Sequence, residues 1–237
     1  MRFIYLVILA FALVSCKKEV QLAKANRTID SLVVDHTPVY LFFEVKDSDT
    51  LVKVNRNNTI STTNWIFNVD KRLPLKLAIP EVIKLQNKRK NDDVHTEDIA
   101  GNYYSYTDSI QRSLAFLSFK QFNYTYDSYF SSIYVKENPE YHMHFQTYYI
   151  NFKSNKTITV DGNEVSQGEL LAFLKDYIAF SGEGKRNLIY LNFDEELSFD
   201  TYLSNVVLLS ELENETTQIA TTHFIYNKKK LPDCNCY

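Results

Sequence analysis

Residues 157–199 read TITVDGNEVSQGELLAFLKDYIAFSGEGKRNLIYLNFDEELSF, and the switch between period two and period 3.6 inside this run predicts an α+β layer. Asp161-Gly162, set between alternating residues, marks a hairpin, because a type I′ turn needs two positive φ values that Asp and Gly accept. Ser166 and Glu169 stand at capping-box spacing, which predicts a helix from there to about Phe180. Leu170, Leu171, Phe173, Leu174, Tyr177 and Ile178 form its apolar face, and Gly182 and Gly184 stop it. Residues 188–193 are short, apolar and bounded by turn formers, so they predict a central strand. Ser198 then caps a second helix in which Phe199, Tyr202, Leu203, Val206 and Leu209 share one face. Burying these five contributes roughly 1.5–3 kcal/mol each before entropy. With strands at 146–152 and 219–226, the unit is two helices packed on a mixed sheet, since the element order does not give a doubly wound one.

Upstream, residues 39–46 and 51–54 predict paired strands about an Asp47-Ser48-Asp49 turn, and 64–69 a third strand. Residues 68–85 lie on residues 192–209 at a constant offset of 124, with Asn68/Asn192, Asp70/Asp194, Leu73/Leu197, Val82/Val206 and Leu85/Leu209 identical. The first half therefore reads as a degenerate copy of the second, packed against it and lacking the capped helix between its early strands. Pro80 in that copy has no amide hydrogen and fits only a helix start. Residues 92–101 are charged and polar with one glycine, and mark a boundary between halves. Beyond it, residues 103–152 hold 16 of the 34 aromatic residues, a density that fits either a stacking platform for sugar or peptide, or strands and a small core. Ile110, Leu114, Leu117 and Gln121 keep a helical period, which predicts a helix over 108–122.

The order of features in residues 157–226 resembles the extramembrane domain of the ExbD/TolR (biopolymer transport) family, partners of proton-driven motors in bacterial envelopes. The likeness rests on the run from Ile158 through Asp161-Gly162 to Val165 and the helix around Leu170 and Leu174. It continues in the strand ending Leu191-Asn192-Phe193-Asp194 and the helix carrying Tyr202, Val206 and Val207. It covers about a third of the chain. Family members cross the inner membrane by one helix carrying an acidic residue on the proton path. No segment here matches that helix, so the resemblance implies only the binding and dimerising side of the family.

Met1-Arg2 followed by the apolar residues 3–14 has the form of a signal peptide, too short for the roughly 20 apolar residues a bilayer requires. Leu13-Val14-Ser15-Cys16 resembles a lipobox, which implies cleavage before Cys16 and a lipid on its sulfur; an ordinary signal or a short anchor with an incidental cysteine is the alternative. The remaining cysteines, Cys234 and Cys236, lie in the last four residues, so no disulfide framework staples the fold. A net charge of -3, and no basic groove beside the aromatic residues, argue against nucleic acid.

The chain thus divides into a signal peptide (1–15), a lipid-anchored tether (16–35), a β-rich N-terminal half (36–100), an aromatic-rich helical connector (101–145), the ExbD/TolR-like α+β domain (146–227) and a basic, cysteine-containing tail (228–237). His142 and His144 flank Met143 in a predicted strand whose alternation puts both imidazoles on one face; they are weak metal candidates without a third ligand. Asp194, Glu195, Glu196 and Asp200 would suit a hard cation or an acid–base pair, but acids at a helix N-terminus are explained by the helix dipole. Ser181-Gly182-Glu183-Gly184-Lys185 lacks phosphate-loop spacing and reads as a helix stop. Cys234-Asn235-Cys236 offers a strained local disulfide, an intermolecular one, a metal site or a loose tail. No catalytic site and no cofactor are expected. The expectation is a non-enzymatic envelope lipoprotein, on the periplasmic or surface side of a membrane, whose exposed sheet edge meets an envelope protein or a second copy. The alternative is a glycan- or peptide-binding surface lipoprotein using the aromatic stretch.

Overall fold

A computed structural model of the chain describes residues 19–57, 59–92, 100–127, 130–182 and 184–231. It is α+β, with two mixed sheets and five α-helices among these residues. The first sheet contains β1 (Lys24–Ala25), β2 (His36–Lys46), β3 (Asp49–Asn55), β4 (Asn64–Val69), β5 (Asn102–Asp108) and β6 (Ser113–Ser118) in the order β3-β2-β4-β5-β6, with β1 beside the end of β5. Helix α1 (Leu75–Asp92) links β4 to β5.

The second sheet contains β7 (Asn123–Asp127), β8 (Phe145–Phe152), β9 (Ile158–Val160), β10 (Asn163–Val165), β11 (Arg186–Asp194), β12 (Thr217–Ile219) and β13 (Thr222–Tyr226), ordered β10-β9-β8-β11-β13-β7 with β12 beside the start of β11. Its helices are α2 (Ser131–Glu137), α3 (Pro139–His142), α4 (Leu170–Ser181) and α5 (Phe199–Leu209). The Asp161-Gly162 turn uses the backbone that the sequence implies, with φ +47° and +86°; the first turn is tighter than expected, Asp47 and Ser48 taking φ +50° and +72° while Asp49 already opens β3. Strand β4 spans the expected residues, β11 is central, and Ser198 Oγ accepts from the Thr201 amide at the start of α5.

The two sheets share an order of antiparallel hairpin, parallel strand, helix and parallel strand: β2–β3, β4, α1, β5 and β8–β9, β11, α5, β13. Where they meet, the segments entering α1 and α5 run antiparallel through a bridge between Pro74 and Ser198. The Leu75 amide donates to the Leu197 carbonyl (2.8 Å) and the Phe199 amide to the Leu73 carbonyl (2.8 Å). Lys76 donates to Glu195 (2.9 Å) and Asp200 to Lys71 (3.1 Å). Each bond of a pair maps on the other by the offset of 124. Helix α5 is sandwiched between the sheets: its Tyr202 ring meets Tyr104 of β5 at 6.5 Å and Phe193 of β11 at 5.0 Å, within one continuous core.

Several expectations are corrected. Residues 108–122 form no helix. The Asp108 carboxylate accepts the amides of Ile110 and Gln111, Arg112 takes φ +55°, and the chain doubles back as β6, burying Ala115 and Leu117 while Leu114 stays exposed. Residues 101–145 are therefore not a helical connector: β5 and β6 complete the first sheet, β7 joins the second, and only α2 and α3 are helical. The N-terminal half accordingly runs past residue 100. Residues 19–35 are no loose tether. β1 pairs with β5, Asp30 bridges Phe116 through two backbone bonds, and Ala23, Ala25 and Val33 are buried; small apolar residues without a sustained period hid this.

Helix α4 begins at Leu170 without the reciprocal capping box, because the Ser166 hydroxyl donates directly to the Glu169 carboxylate (2.6 Å) and the Glu169 amide to the Ser166 carbonyl. Pro80 lies inside α1, whose start is set by the Pro74–Ser198 bridge; Ala78, Ile79, Val82 and Leu85, all buried, offset the missing bond. Residues 219–226 break into β12 and β13, and β13 is interior, with β7 outside it.

Candidate functional site

The edge of β3 is the longest free strand edge among the described residues. Its turn and its neighbour decide which of its groups are free. The Leu41 carbonyl accepts the Asp70 amide on the β4 side, so odd-numbered residues of β2 bond β4 and even-numbered ones bond β3. The register Lys46↔Asp49, Glu44↔Leu51, Phe42↔Lys53 and Tyr40↔Asn55 then turns the amides and carbonyls of Asp49, Leu51, Lys53 and Asn55 inward to β2. Those of Thr50, Val52 and Val54 point outward, with no strand to receive them.

The side chains divide the same hairpin by face. Val39, Leu41, Val52 and Val54 join the core. Tyr40, Phe42, Leu51 and Lys53 lie on the opposite face, where the Tyr40 and Phe42 rings stack at 5.7 Å and Lys53 Nζ stands 3.9 Å from the Glu44 carboxylate. Farther across that face, Ile66, Phe116 and Tyr103 are covered by Val33 from the N-terminal segment. Leu51, at the edge, is 42% exposed.

A second polar feature lies inside. Tyr104 and Tyr124 share a hydrogen bond of 2.6 Å between hydroxyls, Tyr124 and Tyr202 one of 3.3 Å, and the Tyr202 hydroxyl lies 2.8 Å from His223 Nδ1. The chain links β5 of the first sheet to β7, α5 and β13. Burial, with the neighbouring tyrosines, raises all three phenols well above their ordinary value. Burial alone pushes the His223 imidazolium down to about 3. These groups are neutral near pH 7, so the chain acts as a polar pin between sheets. His223 Nε2 has no partner among the described residues, and Phe122 packs on the ring at 4.4 Å. The same ring borders a cleft of about 260 Å³ with Gln121, Ser210 and Glu213.

The sequence-predicted site residues are scattered. His142 lies in α3 with Nδ1 2.6 Å from the Asn138 carbonyl and Nε2 2.6 Å from the Tyr190 hydroxyl, whereas His144 is exposed in the following turn. They share no strand face, and no three metal-ligating side chains gather among the described residues. The helix period of Pro139–His142 overrides the strand alternation expected there. The acids disperse too: Asp194 accepts the Glu196 and Ser154 amides, Glu195 the Tyr126 hydroxyl, Asp200 the Lys24 amide, and Glu196 pairs with Lys76. Gly182, Gly184 and Lys185 border an open cleft of about 440 Å³ that the 2.7 Å Lys175–Glu211 ion pair also lines; Gly182 caps the end of α4, and Gly184 follows at φ +74°. Lys228, Lys229 and Lys230 are exposed after β13. Cys16, Cys234 and Cys236 lie outside the described residues.

Of the aromatic stretch, Tyr104, Tyr106, Phe119 and Tyr148 are fully buried. Tyr134, Phe145 and Tyr149 pack partly buried against Leu188 and Tyr190. Tyr141, 58% exposed, borders a cleft of about 230 Å³ there. No helix among the described residues is long and apolar enough to cross a membrane. Compared with known proteins, the chain matches no family model, no curated protein and no solved structure.

Proposed function

We propose that this protein is a bacterial envelope lipoprotein, held to a membrane by a lipid on Cys16, which works through protein–protein contact and not through catalysis. The observation that carries the reading is the β3 edge, whose outward amides and carbonyls at Thr50, Val52 and Val54 form a ready template for an added strand. An ExbD/TolR-like identity for residues 146–227 is supported by the order β8-β9-β10-α4-β11-α5-β13, with both longer helices joined to one mixed sheet. A degenerate copy in the first sheet is supported by the bonds paired at the offset of 124 and by the direct passage from β3 to β4 where the second unit has α4.

The test is crosslinked affinity capture from native envelopes, comparing wild type, Cys16→Ala and Val52→Pro. Val52 bonds outward only, so proline there removes an edge donor without cutting a bond to β2. A defined envelope protein captured by wild type and lost with Val52→Pro supports the reading; equal capture by both overturns it. Release of Cys16→Ala from the membrane fraction tests the anchor separately.

A second reading, binding of a glycan or peptide, is favoured by one observation: the Tyr134, Tyr141 and Tyr190 rings beside an open cleft on the outer side of the second sheet. Saturable binding lost with Tyr141→Ala would favour it over edge contact.

A further inference from the structure

We infer that the partner of the β3 edge is β3 of a second copy, paired antiparallel about Leu51, so that Asp49 of each copy meets Lys53 of the other. The inference rests on the edge-contact reading and names its occupant.

The free backbone groups restrict the register first. Two copies of β3 can exchange hydrogen bonds only through residues whose groups point outward, so Thr50, Val52 and Val54 must face even-numbered residues of the second copy. Of the registers this leaves, pairing about Val52 sets Leu51 against Lys53 and Asp49 against Asn55, with no charge pair. Pairing about Lys53 sets like charges opposite each other. Pairing about Leu51 sets Thr50 against Val52, Leu51 against Leu51 and Asp49 against Lys53, twice by symmetry. Odd-numbered residues are then the non-hydrogen-bonded pairs, whose side chains approach most closely.

The face of the hairpin extends this complementarity. In one copy Lys46 lies opposite Asp49, Glu44 opposite Leu51 and Phe42 opposite Lys53. Across the seam, the first row becomes Lys46, Asp49, Lys53, Phe42 and the middle row Glu44, Leu51, Leu51, Glu44. Each charge at the seam thus has an opposite neighbour, and the two half-exposed leucines cover one another. No other described edge offers this. β10 has three residues, β7 carries no cationic residue to face an acid, and β6 is partly bridged by Asp30.

Cysteine trapping of the full lipoprotein in native envelopes, with Cys234 and Cys236 changed to Ser, tests the register. Leu51→Cys should give a disulfide dimer on a non-reducing gel, since facing Cβ atoms of a non-hydrogen-bonded pair lie within disulfide reach. Val52→Cys should give little, because Val52 faces Thr50 of the other copy, and Leu114→Cys on the opposite edge sets the background. Asp49→Lys should lower the trapped fraction about tenfold, and adding Lys53→Asp should restore it, because opposite charges again face each other. Trapping through Val52→Cys in place of Leu51→Cys, or trapping of Leu51→Cys no greater than background, overturns the inference. If another envelope protein is still lost with Val52→Pro in that last case, the edge-contact reading stands while the self-pairing fails.

Discussion

The Leu75 amide donates to the Leu197 carbonyl across 2.8 Å, and the same bond recurs 124 residues on, from the Phe199 amide to the Leu73 carbonyl at 2.8 Å. The entries to α1 and α5 are thus each other's strand partner. Neither helix start is complete without the other unit, because helix N-termini leave amides to be satisfied from outside.

The two sheets should therefore unfold together. Leu73 and Leu197 are both buried at this crossing, and Leu→Ala at either should cost about 2–5 kcal/mol. Thermal unfolding followed by circular dichroism and by Trp65 fluorescence, which reports the first sheet, should show one coincident transition that moves as a whole in both variants. A Leu197→Ala chain whose second sheet melts before the Trp65 signal changes would show the units to be independent.

Gly162 tests a turn and nothing else. A Cβ there meets no atom within 4 Å, but φ is +86°, so Gly162→Ala should cost about 1 kcal/mol from backbone strain alone. Gly182 is the converse: its φ is helical, yet a Cβ would sit 2.8 Å from the Ile178 carbonyl oxygen, so Gly182→Ala must shift the end of α4. Urea denaturation should give the smaller loss for Gly162→Ala and a larger one for Gly182→Ala.

What the sequence made legible follows from where each signal is encoded. Asp161-Gly162 was readable because positive φ is a local demand that few residues meet, and the Asp47-Ser48-Asp49 cluster marked its turn one residue too long. Residues 64–69 and 188–193 were readable because buried central strands are mostly apolar, with Asn64, Asn68 and Asn192 as the exceptions. The spacing of Ile110, Leu114 and Leu117 misled, because it satisfies a helix while only Leu117 is buried, and Asp108 capping the turn decided for a hairpin. Asp30 and Ala25 gave no signal, since their partners Phe116 and Asp108 are far along the chain. The outward direction of Val52 needs the register to β2, and the chain from Tyr104 to His223 gathers four elements that no spacing connects.

Tyr202→Phe should cut that chain at its centre. The lost hydroxyl bridges Tyr124 and His223 Nδ1, and both would lose that partner, so a loss of about 1–3 kcal/mol is expected. Tyr124→Phe should also be destabilising but leaves the Tyr202–His223 bond intact. Chemical denaturation of both variants checks the order; a Tyr202→Phe chain as stable as wild type would mean that a buried water replaces the hydroxyl.

His223 gives the fold a pH dependence whose sign can be worked out. Its imidazolium is pushed down to about 3 in the folded chain against an ordinary value of 6.5, so between these values the unfolded chain binds the extra proton. Stability is then full above about pH 6.5 and falls as pH drops toward 3, by at most about 1.4 kcal/mol per pH unit from this residue. Asp70 adds a loss at lower pH: burial pushes its carboxyl up, but the Arg72 guanidinium and the amides of Arg72 and Gln21 hold it below 3.8 on balance. That loss is common to wild type and variants, so the comparison to make is with His223→Asn, which keeps a polar atom near Nδ1 for Tyr202 and cannot titrate. The unfolding free energies of the two chains, measured from pH 7.5 to pH 4, should converge as pH falls, with wild type losing its margin first. Parallel curves would mean that His223 already reaches solvent or a water-filled cavity, and that its burial beneath Phe122 is not maintained in solution.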